Sequence, residues 1–390
     1  MGREIGIGLL GVGWMGRLHS TSYLRVPAHY PECPGRARLV VAADELESRA
    51  RSAVDELGYE RWTTDWREVI ADPEVDAVSI TAPNFLHRDM ALAAAAAGKP
   101  FWGEKPLGRF PPETAEIAAA ADEARIVTIV GLNYRHPPAV QHARSLIVGG
   151  SLGEITHFRM QFVASYSANP RGALSWRFLR ERAGLGILAD LGSHAVDLAQ
   201  FLLGPIVRVT ATTSIVIPRR PIVAMGEGTH FSVVDEGAEL GDVENEDWAA
   251  ALVEFERGVK GTIELSRVLV GADARYVFEV NGTEGAVGWD FERLNELQVY
   301  SGLATGERGN ARVLMGPEQP EFGRFQPGAG IPMGYDDLKV IEAKLFLESV
   351  AEGVQREPGV RELAAAARVL EAMVRSTESG TWEEVGTHSP

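Results

Sequence analysis

Along residues 1–130, short apolar runs alternate with stretches of helical period. Ile5–Leu10 is an apolar run that leads into glycines, and residues 14–25 carry helical spacing. Leu39–Ala43 is a second apolar run, followed by helical spacing over Glu47–Leu57. Val75–Thr81 reads as a third strand, stopped by Ala82-Pro83-Asn84. Ala91–Ala97 is made of strong helix formers, with Gly98 placed to end them. Pro100–Gly103, Glu113–Ala124 and Ile126–Val130 continue as strand, helix and strand. Strands of continuous apolar character are buried on both faces, so the pattern predicts a parallel, doubly wound sheet.

After about residue 135 the pattern changes. Val140–Val148 reads as a helix, Ile155–Val163 alternates like a strand, and Gly184–Leu203 is helical. Strands are then expected at Ile206–Val216, Trp248–Phe255, Val259–Leu269, Tyr276–Val280 and Leu297–Tyr300, with turn signals at Gly258 and Asn281-Gly282. These predict an antiparallel sheet with one helix-covered face. Residues 301–334, rich in Gly and Pro, read as a long loop. Tyr335–Ala351 and Val360–Ser376 are two closing helices. The expected division is residues 1–132 and 133–390, with the closing helices (335–376) able to pack back on the first domain.

A length of 390 residues exceeds what one core ordinarily organises, which agrees with two domains. Hydrophobic and charged contents of 45% and 24% are those of a globular chain, and no apolar run reaches a membrane span. A net charge of −16 disfavours nucleic acid and anionic membranes as partners. The lone cysteine, Cys33, excludes an internal disulfide framework, and the N-terminus goes straight into a strand without a leader pattern, so the cytoplasm is the expected location.

The first chemistry-bearing motif is Gly11-Val12-Gly13-Trp14-Met15-Gly16, a G-x-G-x-x-G between the first strand and the first helix. In that context the glycines serve a tight turn, a close approach to a pyrophosphate and close helix–strand packing. Asp44, after the second strand, is the candidate for the ribose of NAD, since a carboxylate there repels a 2′-phosphate. Its distance from the glycines exceeds the usual spacing, and Pro27–Arg38, with three prolines, reads as the insertion responsible. Asp44 could equally cap the next helix.

Four motifs together resemble the glucose–fructose oxidoreductase / inositol dehydrogenase / MocA (Gfo/Idh/MocA) family. They are Gly11 to His19; Thr81-Ala82-Pro83-Asn84 with His87; Glu104-Lys105-Pro106; and Asp190-Leu191-Gly192-Ser193-His194 with Asp197. Asn133-Tyr134-Arg135, Ser175-Trp176-Arg177 and Asn281–Gly285 point to the branch containing levoglucosan and inositol dehydrogenases. The resemblance implies an α/β Rossmann domain, then an α+β domain with a large open antiparallel sheet that joins subunits into a homodimer or homotetramer. It also implies NAD as cofactor, held by Gly11, Gly13, Trp14, Met15, Gly16, Asp44, Thr81, Pro83, Asn84, His87 and Glu104. One departure is visible: where relatives acting on anhydrosugars tend to read Gln-Asp-Trp, this chain has Ala164-Ser165-Tyr166.

Oxidising a carbinol needs a nicotinamide, a base and polar groups that fix the hydroxyl. The resemblance makes Lys105 the hydroxyl partner, His194 the proton-transfer group, and Asp190 the residue that orients substrate or tunes Lys105. Asp190, His194 and Asp197 are spaced i, i+4 and i+7, on one face of the expected helix. Asp197 reads as support for that helix. Tyr134, Trp176 and Arg177 are candidates for the substrate pocket, Trp176 being open between core packing and sugar stacking. The site is expected in the cleft between the domains. His19 reads as a packing or dinucleotide-side residue rather than a base. Asp242–Asp247 reads as a solvated acidic loop. An Asp/His face could bind a metal, but catalytic zinc draws on Cys or several His, and Cys33 lies in the proline-rich insertion, so no metal is expected.

The resulting expectation is an NAD-dependent oxidoreductase acting on a secondary alcohol of a sugar, anhydrosugar or inositol. Two other readings stand beside it. One is transient sugar oxidation within glycoside cleavage; the other is a non-catalytic regulator that binds dinucleotide and sugar, against which the presence of both Lys105 and His194 argues.

Overall fold

The computed structural model describes residues 2–223, 232–235, 237–301 and 309–386. It divides into two units: Met1–His136 with Gly323–Pro327 and Met333–Ala364, and Pro137–Phe322 with Gly328–Pro332 and Ala365–Pro390.

In the first unit the apolar runs become strands β1 (Arg3–Leu10), β2 (Gly35–Ala43), β3 (Arg61–Thr63), β4 (Ala77–Ile80), β5 (Phe101–Gly103) and β6 (Thr128–Val130). Helices α1 (Trp14–His29), α2 (Glu47–Leu57), α3 (Trp66–Ala71), α4 (Asn84–Ala96) and α5 (Pro111–Ala124) connect them. The sheet is parallel, in the order β3-β2-β1-β4-β5-β6. Chain direction across the sheet reverses between β1 and β4, and the carboxyl ends of such a pair open the crevice where α/β sheets take ligands. Ile5, Ile7 and Leu9 pack on one face with Val340, Phe346 and Leu347 of the helix Tyr335–Glu352. Leu10, Val40, Val78 and Ile80 pack on the other with Met90, Ile117 and Leu363. Burial on both faces explains the unbroken apolar runs.

Two expectations about this unit change. Helix α1 does not stop near residue 25 but continues through Pro27 to His29, and the Tyr30 N–H still bonds to the Val26 carbonyl at 2.8 Å. Proline removes one donor without ending a helix that is already near its last turn. The Pro27–Arg38 segment is therefore shared among helix end, turn and strand β2 rather than standing out as an inserted loop. The short edge strand β3 and helix α3 carried no pattern long enough to read.

The second unit is built on a nine-stranded sheet. Its strands are β7 (Ile155–Ala164), β8 (Ile206–Ser214), β11 (Trp248–Phe255), β12 (Lys260–Ser266), β13 (Ala274–Gly282), β14 (Ala286–Asp290), β15 (Glu296–Ser301), β16 (Gly309–Leu314) and β17 (Glu383–Glu384). The order is β16-β15-β14-β13-β7-β12-β11-β8-β17, and β9 (Arg219–Pro221) and β10 (Leu240–Asp242) form a separate ribbon. The sheet is mixed rather than wholly antiparallel, because β7 enters its middle beside β12 and runs parallel to it. Periodicity along one strand carries no information about its neighbour's direction. Strand β16 also occupies part of the expected 301–334 loop, of which residues 302–308 lie outside the described residues.

Along β11 the exposed and buried positions alternate: Ala249, Ala251, Val253 and Phe255 are buried, whereas Trp248, Ala250, Leu252 and Glu254 face away. The expected single helix over Gly184–Leu203 begins later, as Ile187–Asp190, and resumes as Gly192–Leu203. The late start follows from Gly184, whose φ of +76° is not helical, and Gly186 then packs so closely that a Cβ there would lie 2.3 Å from the Glu246 carbonyl oxygen. The Ile187 and Leu188 N–H groups bond to the Glu246 carbonyl and to its Oε1, at 2.9 and 3.1 Å. Replacing Gly186 with Ala should therefore lower the unfolding free energy by roughly 1–3 kcal/mol, the range for overpacking, as measured by urea denaturation.

Candidate active site

The glycine loop leaves β1 through Gly11, whose φ of +101° only glycine holds without strain. A Cβ at Gly16 would fall 2.0 Å from the Gly11 carbonyl oxygen, whereas one at Gly13 would meet nothing within 4 Å. The loop is thus closed on itself at its third glycine and open at its second, the arrangement that lets a pyrophosphate reach backbone N–H groups at a helix start. Thr81, at the end of β4, donates its hydroxyl to the Gly11 carbonyl at 2.7 Å and so holds the loop from across the switch point. Pro83 and Asn84 begin helix α4. Met15 is half-buried, and Trp14 is exposed, its ring stacked 6.0 Å from that of Tyr335.

Asp44 folds back onto the loop. Its Oδ2 accepts from the Val12 N–H at 2.9 Å and its Oδ1 from the Leu46 N–H at 3.0 Å. The ribose role is geometrically open, since each oxygen retains a lone pair for a hydroxyl, but the capping role does not hold: the N-cap of α2 is Leu46, and no side chain caps that helix. These residues fit NAD.

His87 is fully enclosed, with Nδ1 2.7 Å from the Pro106 carbonyl and Nε2 2.5 Å from the Ala82 carbonyl. Burial lowers its pKa while the two carbonyls work the other way, and the net shift is downward. The neutral ring donates to one carbonyl at a time and links the loops after β4 and β5. Lys105, half-buried, lies in the second of these loops, and its peptide bond to Pro106 is cis.

Glu104 sits in a cluster that the sequence did not reveal. Its Oε1 lies 2.5 Å from the Lys339 Nζ and 3.1 Å from the His19 Nε2, and Lys339 is also 2.8 Å from Glu342. Lys339, Glu342 and His19 are entirely buried. The His19 ring stacks on Trp102 at 3.4 Å. Burial pushes His19 down to about 4, so the ring is neutral and donates from Nε2 to Glu104. Burial by itself would raise the Glu104 carboxyl, but the Lys339 ammonium and His19 override it and hold the group well below the ordinary range. Burial raises Glu342 to about 8, Glu104 adding to that effect and Lys339 opposing it. Lys339 and Glu342 lie three residues apart on the helix Tyr335–Glu352, in a stretch whose apolar period gave no hint of buried charge.

Tyr134 is buried in the turn Asn133–Arg135, 6.3 Å from the Tyr335 ring. Thus the candidate residues from Gly11 to Tyr134 all belong to the first unit.

Trp176, Arg177, Asp190 and His194 belong to the second unit. The Arg177 guanidinium lies over the Trp176 ring at 4.6 Å, and both residues are half-buried. His194 and Asp197 are buried on Gly192–Leu203, where the Tyr276 hydroxyl donates to the His194 carbonyl at 2.9 Å. Asp190, half-buried, accepts from the Tyr166 hydroxyl at 2.6 Å. The expected solvated loop Asp242–Asp247 holds only in its first half: Asp242 and Glu244 are exposed, but Asn245, Glu246 and Asp247 are buried. The reason is pairing, since Arg267 Nε meets Asp247 Oδ1 at 2.7 Å and the backbone N–H groups of Val216 and Ile217 bond to Oδ2. Among the described residues, no group of three or more His, Cys, Asp or Glu could hold a metal ion, and no helix is long and apolar enough to cross a membrane.

Residues 5–132 match the model of an oxidoreductase family with an NAD-binding Rossmann fold, and residues 140–288 match the GFO/IDH/MocA C-terminal domain. Levoglucosan dehydrogenase of Pseudarthrobacter phenanthrenivorans is 34% identical over 384 residues, 98% of each chain. The NAD(+)-dependent scyllo-inositol 2-dehydrogenase of Bacillus subtilis strain 168 is 30% identical over 290 residues, 74% of each chain. A solved structure of levoglucosan dehydrogenase in complex with NADH and levoglucosan matches with a TM-score of 0.92 at 34% identity, covering 99% of this chain and 100% of that one.

The raised Glu342 predicts a pH dependence of stability. A carboxyl that titrates higher in the folded state than in the unfolded chain contributes most below the ordinary carboxylate pKa and loses that contribution as pH rises through its folded value. The Glu342 contribution should therefore be lost between roughly pH 5 and roughly pH 8, so the difference in Tm between the wild type and Glu342→Gln should shift against the wild type across that window, whatever the buried His19 and His87 add to both as pH rises. Glu104, shifted downward, acts in the opposite sense and only at more acid pH.

Proposed function

This chain belongs to the Gfo/Idh/MocA oxidoreductase family, and from that premise we propose that it oxidises a secondary alcohol of a sugar, anhydrosugar or inositol with NAD. The observation that carries the reading is the juxtaposition at the β1/β4 switch point: a glycine loop open at Gly13, Asp44 bonded to that loop, and Thr81 holding it. The near full-length likeness to levoglucosan dehydrogenase supports the substrate class. Asp44 favours NAD over NADP because its carboxylate repels a 2′-phosphate. Gly11, Gly13, Trp14, Met15, Gly16, Thr81, Pro83 and Asn84 are assigned to the dinucleotide; His87 and Glu104 hold the loops around it.

Bound NAD supplies the acceptor for the hydride that leaves the carbinol carbon. Lys105 donates a hydrogen bond to the reacting hydroxyl and stabilises negative charge developing on its oxygen. His194 takes the hydroxyl proton, for which a neutral imidazole is suited near neutral pH. Asp190 orients the substrate, and Tyr134, Trp176 and Arg177 are assigned to the walls around it. Asp197 supports the helix that carries His194.

The open face of the nine-stranded sheet is assigned to subunit assembly. Thr210, Trp248, Leu252, Thr262 and Val277 line a shallow concavity of about 680 Å³ there. A sheet of this width, whose uncovered face sets Trp248 and Leu252 among polar and charged side chains such as Arg159, Glu264 and Arg275, is stabilised by a second copy.

The decisive assay offers a panel of inositols, hexoses and anhydrosugars with NAD and follows NADH absorbance. Net NADH is the expected product; transient oxidation within glycoside cleavage would yield none. Lys105→Met and His194→Ala should each lower kcat about 10²–10⁴-fold with the Kd for NAD nearly unchanged. Near-normal turnover by Lys105→Met would remove the mechanism while leaving the fold. Sedimentation at micromolar concentration should give a dimer or tetramer, and a monomer would contradict the assignment of the sheet face.

A further inference from the structure

Loop 165–169, which follows β7, is held from two sides. The Ser167 N–H bonds to the Arg267 carbonyl at 2.9 Å, and Arg220 reaches the Ser167 and Asn169 carbonyls at 2.5 and 2.9 Å. Both arginines lie over the Phe178 ring, at 4.3 and 4.6 Å. Arg267 in turn is fixed by Asp247 and by the Asn245 side chain at 2.9 Å. The Asp190 turn hangs from the same tripeptide, through the Glu246 bonds to Ile187 and Leu188. One buried segment, Asn245-Glu246-Asp247, therefore sets the positions of both partners in the Tyr166–Asp190 hydrogen bond.

We propose that Tyr166 is a positioning residue that acts through Asp190, its hydroxyl holding the carboxylate in one orientation toward substrate. The inference rests on the role given to Asp190 above. At 2.6 Å the phenol donates a hydrogen bond to a charged acceptor, which is stronger than a neutral pair. Burial and then the Asp190 charge push the Tyr166 phenol well above its ordinary pKa, while Arg267 and Arg177 pull against them, so the donor keeps its proton through the working pH range. With Oδ2 bound to Tyr166, the remaining carboxylate oxygen is presented in a set direction.

The test is a double-mutant cycle with Tyr166→Phe, Asp190→Asn and the double variant. It is read in kcat and KM for the best polyol of the panel, in Kd for NADH, and in urea stability. Tyr166→Phe keeps the ring and removes only the donor. It should lower kcat roughly 10- to 100-fold, the size of one hydrogen bond to a charged group, and leave the Kd for NADH unchanged. In the Asp190→Asn background the same change should lower kcat less than about threefold, because the partner it acts through is already altered. Equal effects of Tyr166→Phe in both backgrounds, or coupling seen in stability but not in kcat, would overturn the proposal while leaving the functional reading in place. Wild-type turnover by Asp190→Asn would overturn the role of Asp190 and this proposal with it, and no turnover by the wild type on any polyol would overturn the functional reading itself.

Discussion

A charge removed from water must find a partner inside the protein, and that constraint organises the segments that carry Lys105 and Asp190. Desolvating an ion costs several kcal/mol unless an opposite charge and hydrogen bonds offset it. In the first unit the cost falls on Glu104, the residue before Lys105, and it is met by Lys339 from a helix more than two hundred residues later and by His19 from the helix after the glycine loop. In the second unit it falls on Asp247, met by Arg267 and by two backbone N–H groups. Breaking such a pair leaves an uncompensated charge, so each cluster accepts one arrangement of its segments and holds its loop there.

The Glu104 cluster also has an internal imbalance. Two carboxylates share one ammonium, with His19 neutral because burial disfavours its cation. The low-energy state keeps one carboxylate ionised and the other protonated, and the surroundings decide which: Glu104 draws on both Lys339 and His19, whereas burial outweighs the help that Lys339 gives Glu342. Backbone does similar work around the dinucleotide loop with smaller energies. Thr81, Val12 and Asp44 exchange hydrogen bonds that join the ends of β1, β2 and β4, and His87 joins the loops after β4 and β5.

The readable features were those with a local cause. The glycine loop follows from steric needs at single positions, and the continuous apolar runs follow from burial on both faces of a parallel sheet. The strand alternation of β11 reports one covered and one open face. Misread features depended on a distant partner. The helix that begins at Ile187 does so against the Glu246 carbonyl, some sixty residues away in the chain, which accepts its first N–H. The acidic run near residue 245 looked solvated because charge patterning shows the anions and not the arginine that meets them.

Sequence alone determined the class of the protein: a dinucleotide-binding sheet, a second domain rich in strands, and the residues Lys105, Asp190 and His194 as candidates for the chemistry. The sheet and the strand-rich domain follow from short-range rules, in which spacing along the chain sets which side chains share a face or a turn, whereas the roles of Lys105, Asp190 and His194 are what the family resemblance implies. Tertiary structure decided the rest: that β7 lies parallel to β12, that Lys339 and Glu342 are buried against Glu104, and that Tyr166 bonds to Asp190. Each of these joins residues far apart in sequence. Such pairings are chosen by the global balance of desolvation against contact, which no local window of the chain contains.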